Sequence, residues 1–373
     1  MSKEQDGILE AQANLTIDAL KHILTSKDAI VLSPYSLILS MAISYIGARG
    51  ETETEFKNLL SPHAGKEEYC RMLKNSIDGI HNDLYGRYGI YIANRIFLQN
   101  DYAVEEKFKY DIKNYLAASL ENLDFNDREK SVKIINDFIS NATNHKIKNL
   151  IRPNSFSMDT RAIIISALYF KCQWNQIFCE RLTVDDEFHI TKSEKKIVKM
   201  MNNRSLLIYG GDNDFHAVKM QYWNCTEFFL ILPKEKNKLH SLLKKMDGKG
   251  LLKLINSANC YKSVILSMPK FKVESSHNMK NVLTKMGLST PFNENANFTG
   301  ITSTEEIWVD DIIQKVFIDV NEKGTEAAAA VILSISGCGS LKEYQEEVIV
   351  KADHPFLYVI LNKEKILFCG VYQ

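Results

Sequence analysis

The chain has 373 residues, enough for a large buried core, and length alone would allow two domains. Its 46 basic and 46 acidic residues cancel, which removes the bulk positive charge expected of a nucleic-acid-binding protein. The longest apolar stretch near the centre, Ala162 to Phe170, is interrupted by Ser166 and is too short to span a bilayer.

The polar start, Met1 to Asp6, has no signal-peptide core behind it. A cytoplasmic location is expected, with leaderless export or a leader already removed as the alternatives. Seven cysteines, an odd and widely spaced set without paired-ligand motifs, read as reduced thiols and not as a disulfide framework or a metal site.

In chain order, Ile8 to Leu24 has helical spacing, and Ala29 to Leu32 is a short buried strand. Ser33 then caps and Pro34 opens an apolar helix from about Leu37 to Gly47. Glu53, Thr54 and Phe56 begin the next short helix. Tyr88 to Leu98 alternates as a strand, followed by a helix to about Ala117, a strand near Leu120 to Phe125 and a helix from about Lys130 to Asn144.

The run from Ala162 to Trp174 is too continuously apolar for a one-sided strand, so it belongs at the centre of a covered sheet. Strands follow at Phe215 to Tyr222, Glu227 to Leu232 and Ser263 to Met268, with helices at Leu239 to Met246 and Met279 to Met286. The last strands are Val316 to Val320, Glu347 to Val350 and Pro355 to Leu361. No composition break or repeat divides the chain, so one domain over residues 1–373 is expected.

One stretch does not fit this pattern. Glu322 to Val331 contains Glu-Ala-Ala-Ala-Ala, the best helix-forming composition, yet it is too short to hold a helix alone. It dissolves into the loop chemistry of Ser334 to Ser340. A short helical linker is one reading. The other is a strand in waiting: with period two, one face presents Thr325, Ala327, Ala329 and Val331, all small or β-branched and uncharged. Such a segment can enter a packed sheet without burying a charge.

Other chemistry finds little support. No Gly-x-Ser-x-Gly, Walker or His-Glu-x-x-His sequence is present. Cys338 has no histidine near it in sequence and nothing obvious to lower its pKa, and His354 reads as a packed or capping residue. The chain is therefore not expected to be an enzyme, and no cofactor is implied. Lys234, Lys236, Lys238, Lys244, Lys245, Lys249 and Lys253 form a basic region, either a solvated helix face or a polyanion site.

Asn321 to Ala330 closely resembles the hinge of serpins, and Ala352 to Tyr358 resembles that family's C-terminal signature. Val31 to Ser36 with Met41 to Gly50 resembles the first serpin helices, and Ala162 to Trp174 the central strand. Ile134 to Ile139 with Thr143, Lys146 and Ile147 resembles the helix crossing the main sheet, with Phe138 where the family usually has Trp. Pro269 to Glu274 and Asn297 to Ile301 extend the likeness, which covers Ile8 to Tyr372.

The resemblance implies an α+β serpin fold: a large central mixed β-sheet, two further sheets, eight or nine helices and an exposed reactive-centre loop at about 323–346. It implies a monomeric serine protease inhibitor acting as a suicide substrate, with a non-inhibitory storage, carrier or chaperone-like serpin as the alternative. The hinge would be Glu322, Gly324, Thr325, Glu326, Ala327, Ala328, Ala329 and Ala330. Counting from the hinge puts the reactive bond at Cys338–Gly339, which suits an elastase-like protease. Counting back from His354 gives Lys342–Glu343, which suits a trypsin-like one. The sheet-opening region would comprise Ser33, Ser36, Ser166, Gln314 and Trp174; Ser33 and Ser36 match the family, whereas most serpins carry Asn at Ser166 and His at Gln314 and pair the two.

Overall fold

The computed structural model describes residues 3–24, 28–80, 88–100, 102–148, 151–153, 160–223, 225–325 and 347–373. Helix α1 (Lys3–Ile23) leads through the short strand β1 (Ile30–Leu32) into helix α2 (Pro34–Gly47). Local chemistry sets the start of α2. Ser33 is extended at the N-cap, its hydroxyl accepts the Ser36 N–H at 3.3 Å, and Pro34 sits in the first turn, where a missing N–H costs nothing. All fourteen residues of α2 are buried, as an all-round apolar helix requires.

Helices α3 (Gly50–Leu60) and α4 (Lys66–Asp78) follow, then β2 (Tyr88–Gln99), α5 (Glu106–Leu116), β3 (Ser119–Leu123) and α6 (Arg128–Ala142). The middle of the chain is mostly strand: β4 (Ala162–Gln173), β5 (Val184–His189), β6 (Lys195–Gly211), β7 (Phe215–Gln221) and β8 (Thr226–Pro233). Next come α7 (Leu239–Lys245), α8 (Gly248–Ser257), β9 (Cys260–Pro269), β10 (Phe271–Asn278) and α9 (Lys280–Lys285). The last strands are β11 (Asp311–Asn321), β12 (Gly324–Thr325), β13 (Val348–Lys351), β14 (Phe356–Asn362) and β15 (Lys365–Tyr372).

The central sheet is mixed, in the order β10-β11-β12-β4-β2-β3, with β11 and β4 also paired directly. β11–β4 and β2–β3 are parallel, whereas β10–β11 and β2–β4 are antiparallel. The two further sheets run together as one nine-stranded sheet, with β5 paired to β6 beside the path of the other eight. They are continuous because β6 is a single long strand: residues 195–200 pair with β5, 200–209 with β9 and 208–211 with β7.

β4 is covered on both faces, as its unbroken apolar run requires. Ile163, Ile165 and Ala167 pack with Ile135 and Ile139 of α6, while Ile164, Leu168 and Phe170 join the core beneath α2. Phe138, in place of the usual Trp, meets the Arg95 guanidinium 3.9 Å from its ring centroid and packs edge-on against Phe97. Among the described residues, no helix is long and apolar enough to cross a membrane.

Candidate functional site

The central feature is the seam between β11 and β4. The two strands are parallel over the pairs Asp311↔Ile163 to Phe317↔Tyr169. Beyond Phe317 they part, and β12 lies between them, antiparallel to both. Thr325 faces Val320 on one side and Cys172 on the other, and Gly324 faces Asn321 and Gln173. Only glycine fits at 324: its φ is +147°, and a Cβ there would lie 2.1 Å from the Cys172 carbonyl oxygen. Thr325 is fully buried, its hydroxyl 2.6 Å from that of Tyr222.

Several groups hold the approach to this wedge. The Trp174 backbone N–H donates to the Lys323 carbonyl (2.9 Å), its indole N–H to the Asn321 carbonyl (2.8 Å), and the Phe178 N–H to the Glu322 carbonyl (2.9 Å). Trp174 stacks on Tyr222 with centroids 4.1 Å apart and meets Phe228 edge-on. Burial pushes the Tyr222 hydroxyl well above its ordinary pKa, so it stays neutral beside Thr325.

Glu322 is anchored separately, accepting from Lys270 Nζ at 2.9 Å and the Thr183 hydroxyl at 3.0 Å. Burial works to raise its pKa, but these hydrogen bonds outweigh it and hold the carboxyl below the usual range. Lys323 pairs with Glu180 at 3.3 Å.

Midway along the seam a row of polar side chains crosses four strands: His277 opposite Gln314, Gln314 opposite Ser166, Ser166 opposite Asn94. Ser166 bonds the Ser36 hydroxyl. Gln314 accepts from the Ser33 N–H at 3.0 Å and donates to the Ser33 carbonyl at 2.8 Å. Both thus attach to the start of α2. Ser40 reaches Asn94 at 3.4 Å, and His277 contacts the Val31 carbonyl at 2.9 Å.

At the far end of the seam the Asp310 carboxylate accepts the backbone N–H groups of Arg161 (2.6 Å) and Ala162 (3.0 Å). Asp311 accepts from the N–H groups of Ile312 (2.7 Å) and Lys280 (3.3 Å), and burial pushes its carboxyl up to about 7.

The structure therefore gathers Glu322, Gly324, Thr325 and Trp174 at one end of the seam and Ser33, Ser36, Ser166 and Gln314 at its middle. Glu326, Ala327, Ala328, Ala329 and Ala330, like Cys338, Gly339, Lys342 and Glu343, lie outside the described residues. Tyr222, Thr183, Lys270 and Asp310 belong to the site but were not singled out from sequence. For Lys270, 52 positions from Glu322, no local signal exists; for Tyr222, an aromatic ending a strand was the available clue.

Elsewhere, His354 is buried between the Asp353 carboxylate and the Pro233 carbonyl, both at 2.9 Å. In the basic region Lys236 pairs with Asp353, Lys238 with Glu235 and Lys249 with Glu10, while Lys244, Lys245 and Lys253 are exposed. Among the described residues, no group of three or more His, Cys, Asp or Glu is arranged to hold a metal ion.

A mixed sheet whose central strands are parted at one end by a short third strand is a serpin architecture, and comparison with known proteins agrees. The family model described as Serpin (serine protease inhibitor) matches residues 10–373. Antitrypsin of Bombyx mori is 30% identical over 353 residues, 92% of this chain and 88% of that protein. Antichymotrypsin-2 of the same organism is 29% identical over 92% of each chain. The crystal structure of Serpin48 from Tenebrio molitor superposes with a TM-score of 0.88 at 28% identity, covering 100% of this chain and 99% of that one. The chain belongs to the serpin family, whose members are generally protease inhibitors.

Proposed function

We propose that this protein inhibits serine proteases as a suicide substrate, with residues 326–346 as bait; the expected start at 323 moves because Gly324 and Thr325 are already buried in the sheet. The observation that carries the reading is the pairing of Gly324 and Thr325 with both β11 and β4. β12 is the first step of a strand whose next residues, Glu326 to Val331, are small and apolar on the face that would turn inward.

The reaction begins as ordinary proteolysis. The protease serine attacks the carbonyl of the bait residue, the peptide bond breaks, and the new amine stays with the C-terminal segment that leads into β13. The acyl-enzyme remains on the hinge side. With the loop cut, β12 can lengthen between β11 and β4, exchanging one parallel seam for two antiparallel ladders. Strand addition of this kind is established behaviour of serpin loops. Each added ladder bond contributes roughly 0.5–1.5 kcal/mol net, so about a dozen residues supply enough to drag and distort the attached protease before water releases it.

The bait residue is Cys338 by the count from the hinge, which sets how far the protease is carried. An elastase-like partner with a small apolar pocket follows from that choice, and Lys342 with a trypsin-like partner is the competing one. The relatives are named for different proteases, so their names do not decide between the two. Incubation with elastase, chymotrypsin and trypsin should give a complex stable on a denaturing gel. N-terminal sequencing of the released peptide should begin at Gly339, and a start at Glu343 would move the bait to Lys342. Proteolysis without a stable complex, or cleavage that leaves the melting temperature unchanged, would overturn the inhibitory reading.

A further inference from the structure

Strands β6, β9 and β13 form one corner of the nine-stranded sheet, and their side chains alternate between core and solvent. Val264, Leu266, Met268 and Val350 point inward and are at most 1% exposed. A sheet face turned to water ordinarily carries polar residues at the outward positions. Here Ile349 is 68% exposed, Tyr261 58% and Leu206 43%. The register brings them together. Arg204, Ile265 and Ile349 form one row, and Tyr261 stands opposite Ile208, two positions beyond Leu206. Leu206 and Tyr261 also line a cavity of about 160 Å³ that reaches back to Phe178 and Gln221.

At the centre of this apolar face Arg204 forks onto Glu347, with Nε at 2.7 Å and Nη2 at 2.6 Å from Oε1, and the Ser263 hydroxyl donates to the same oxygen at 3.1 Å. Glu347 is the first described residue after Thr325. The residue that directly follows the proposed bait is thus fastened onto this face.

We propose that the face is a docking surface for the body of the protease seated on the loop, an inference that rests on the inhibitory function above. Cys338 lies nine residues before Glu347 and Lys342 five, so full extension carries the cut bond only about 30 or 17 Å away. A protease of about 230 residues has a radius of gyration of about 17 Å. Seated on either bond, it lies against ground within that reach. Arg204 and Glu347 neutralise one another, so the matching rim of the protease is apolar and uncharged, and association depends only weakly on salt.

The test compares the parent with Leu206→Ser/Tyr261→Ser, and with Tyr110→Ser, which removes an exposed aromatic from α5. Elastase, chymotrypsin and trypsin serve as probes, and two quantities are read on each one trapped: the second-order rate of inhibition and the fraction of cleavages ending in stable complex. The double variant is expected to keep the fraction and the melting temperature but to lose at least about tenfold in rate, while Tyr110→Ser changes neither. If the parent traps no protease, the inhibitory reading falls and this surface with it. If the parent traps one and the double variant does so at an equal rate, the docking surface alone is overturned. A parent that sediments as a dimer, with the double variant monomeric, would assign the face to a second copy and likewise overturn the proposal.

Discussion

At one end of the β11–β4 seam a third strand has already entered; at the other, Asp310 sews the two strands together. The wedge itself is neutral at the entered end, with Thr325 against Tyr222 and Trp174 stacked on Tyr222. The sewn end relies on a half-buried carboxylate, Asp310, and a buried one, Asp311, which accept backbone N–H groups from both strands. The proposed insertion would therefore have one place to start and a defined direction of travel. Each end can be altered without touching the other.

The strongest way to break the contrast is to put a charge at the entered end. Arginine at 325 would place an ion that cannot lose its proton in a fully enclosed position. Because residue 325 is already enclosed, the ion would push β12 out of the seam; its re-entry would then cost several kcal/mol, and each 1.4 kcal/mol on that barrier slows insertion about tenfold. Thr325→Arg should yield cleaved chain and free, active protease on a denaturing gel. An undiminished covalent complex would refute insertion as the mechanism.

The sewn end should show its character in pH. The Asp311 carboxyl is raised by burial to about 7, so the folded state holds its proton more tightly than the unfolded chain does. Stability from this group is full at low pH, declines as pH rises from about 4 to about 7, and stays low above that. The shift corresponds to a few kcal/mol. Asp311→Asn should flatten this decline in urea titrations between pH 5 and 7.5 and raise stability at the upper end. An unchanged slope would place the titration elsewhere.

Between the ends, Gln314→Leu strands the buried N–H of Ser33, at about 1–3 kcal/mol, while the Ser33 carbonyl keeps the Leu37 N–H at 3.0 Å. Chemical denaturation should detect that loss. The smallest effect is expected from Lys270→Met, which removes the partly exposed partner of Glu322. It should cost about 1 kcal/mol or less and chiefly raise protease nicking near residue 322.

Much of this was legible in the sequence because the relevant signals are local. Ser33-Pro34 announces α2, the unbroken run from Ala162 announces a doubly covered strand, and the small, uncharged Gly324 and Thr325 suit the buried positions they occupy. β6 was not anticipated. Its Met-Met-Asn-Asn-Arg stretch follows no clean period, because the strand changes partners from β5 to β9 to β7 along its length. α8 begins Gly-Lys-Gly and is fixed by the Asp247 cap and by Asn14 from α1, a contact 234 residues away in sequence. The attachment of Ser166 and Gln314 to α2, where the family pairs the two equivalent residues with each other, depends on side-chain length and could not be read from the substitutions alone.

That attachment carries a consequence for time. Because both side chains hold α2, the strands cannot part without either rupturing hydrogen bonds to Ser33 and Ser36 or taking the helix start with one of them. If the proposed insertion operates, its waiting time is governed by these bonds in the middle of the sheet. Two residues on neighbouring strands would then act as its clock.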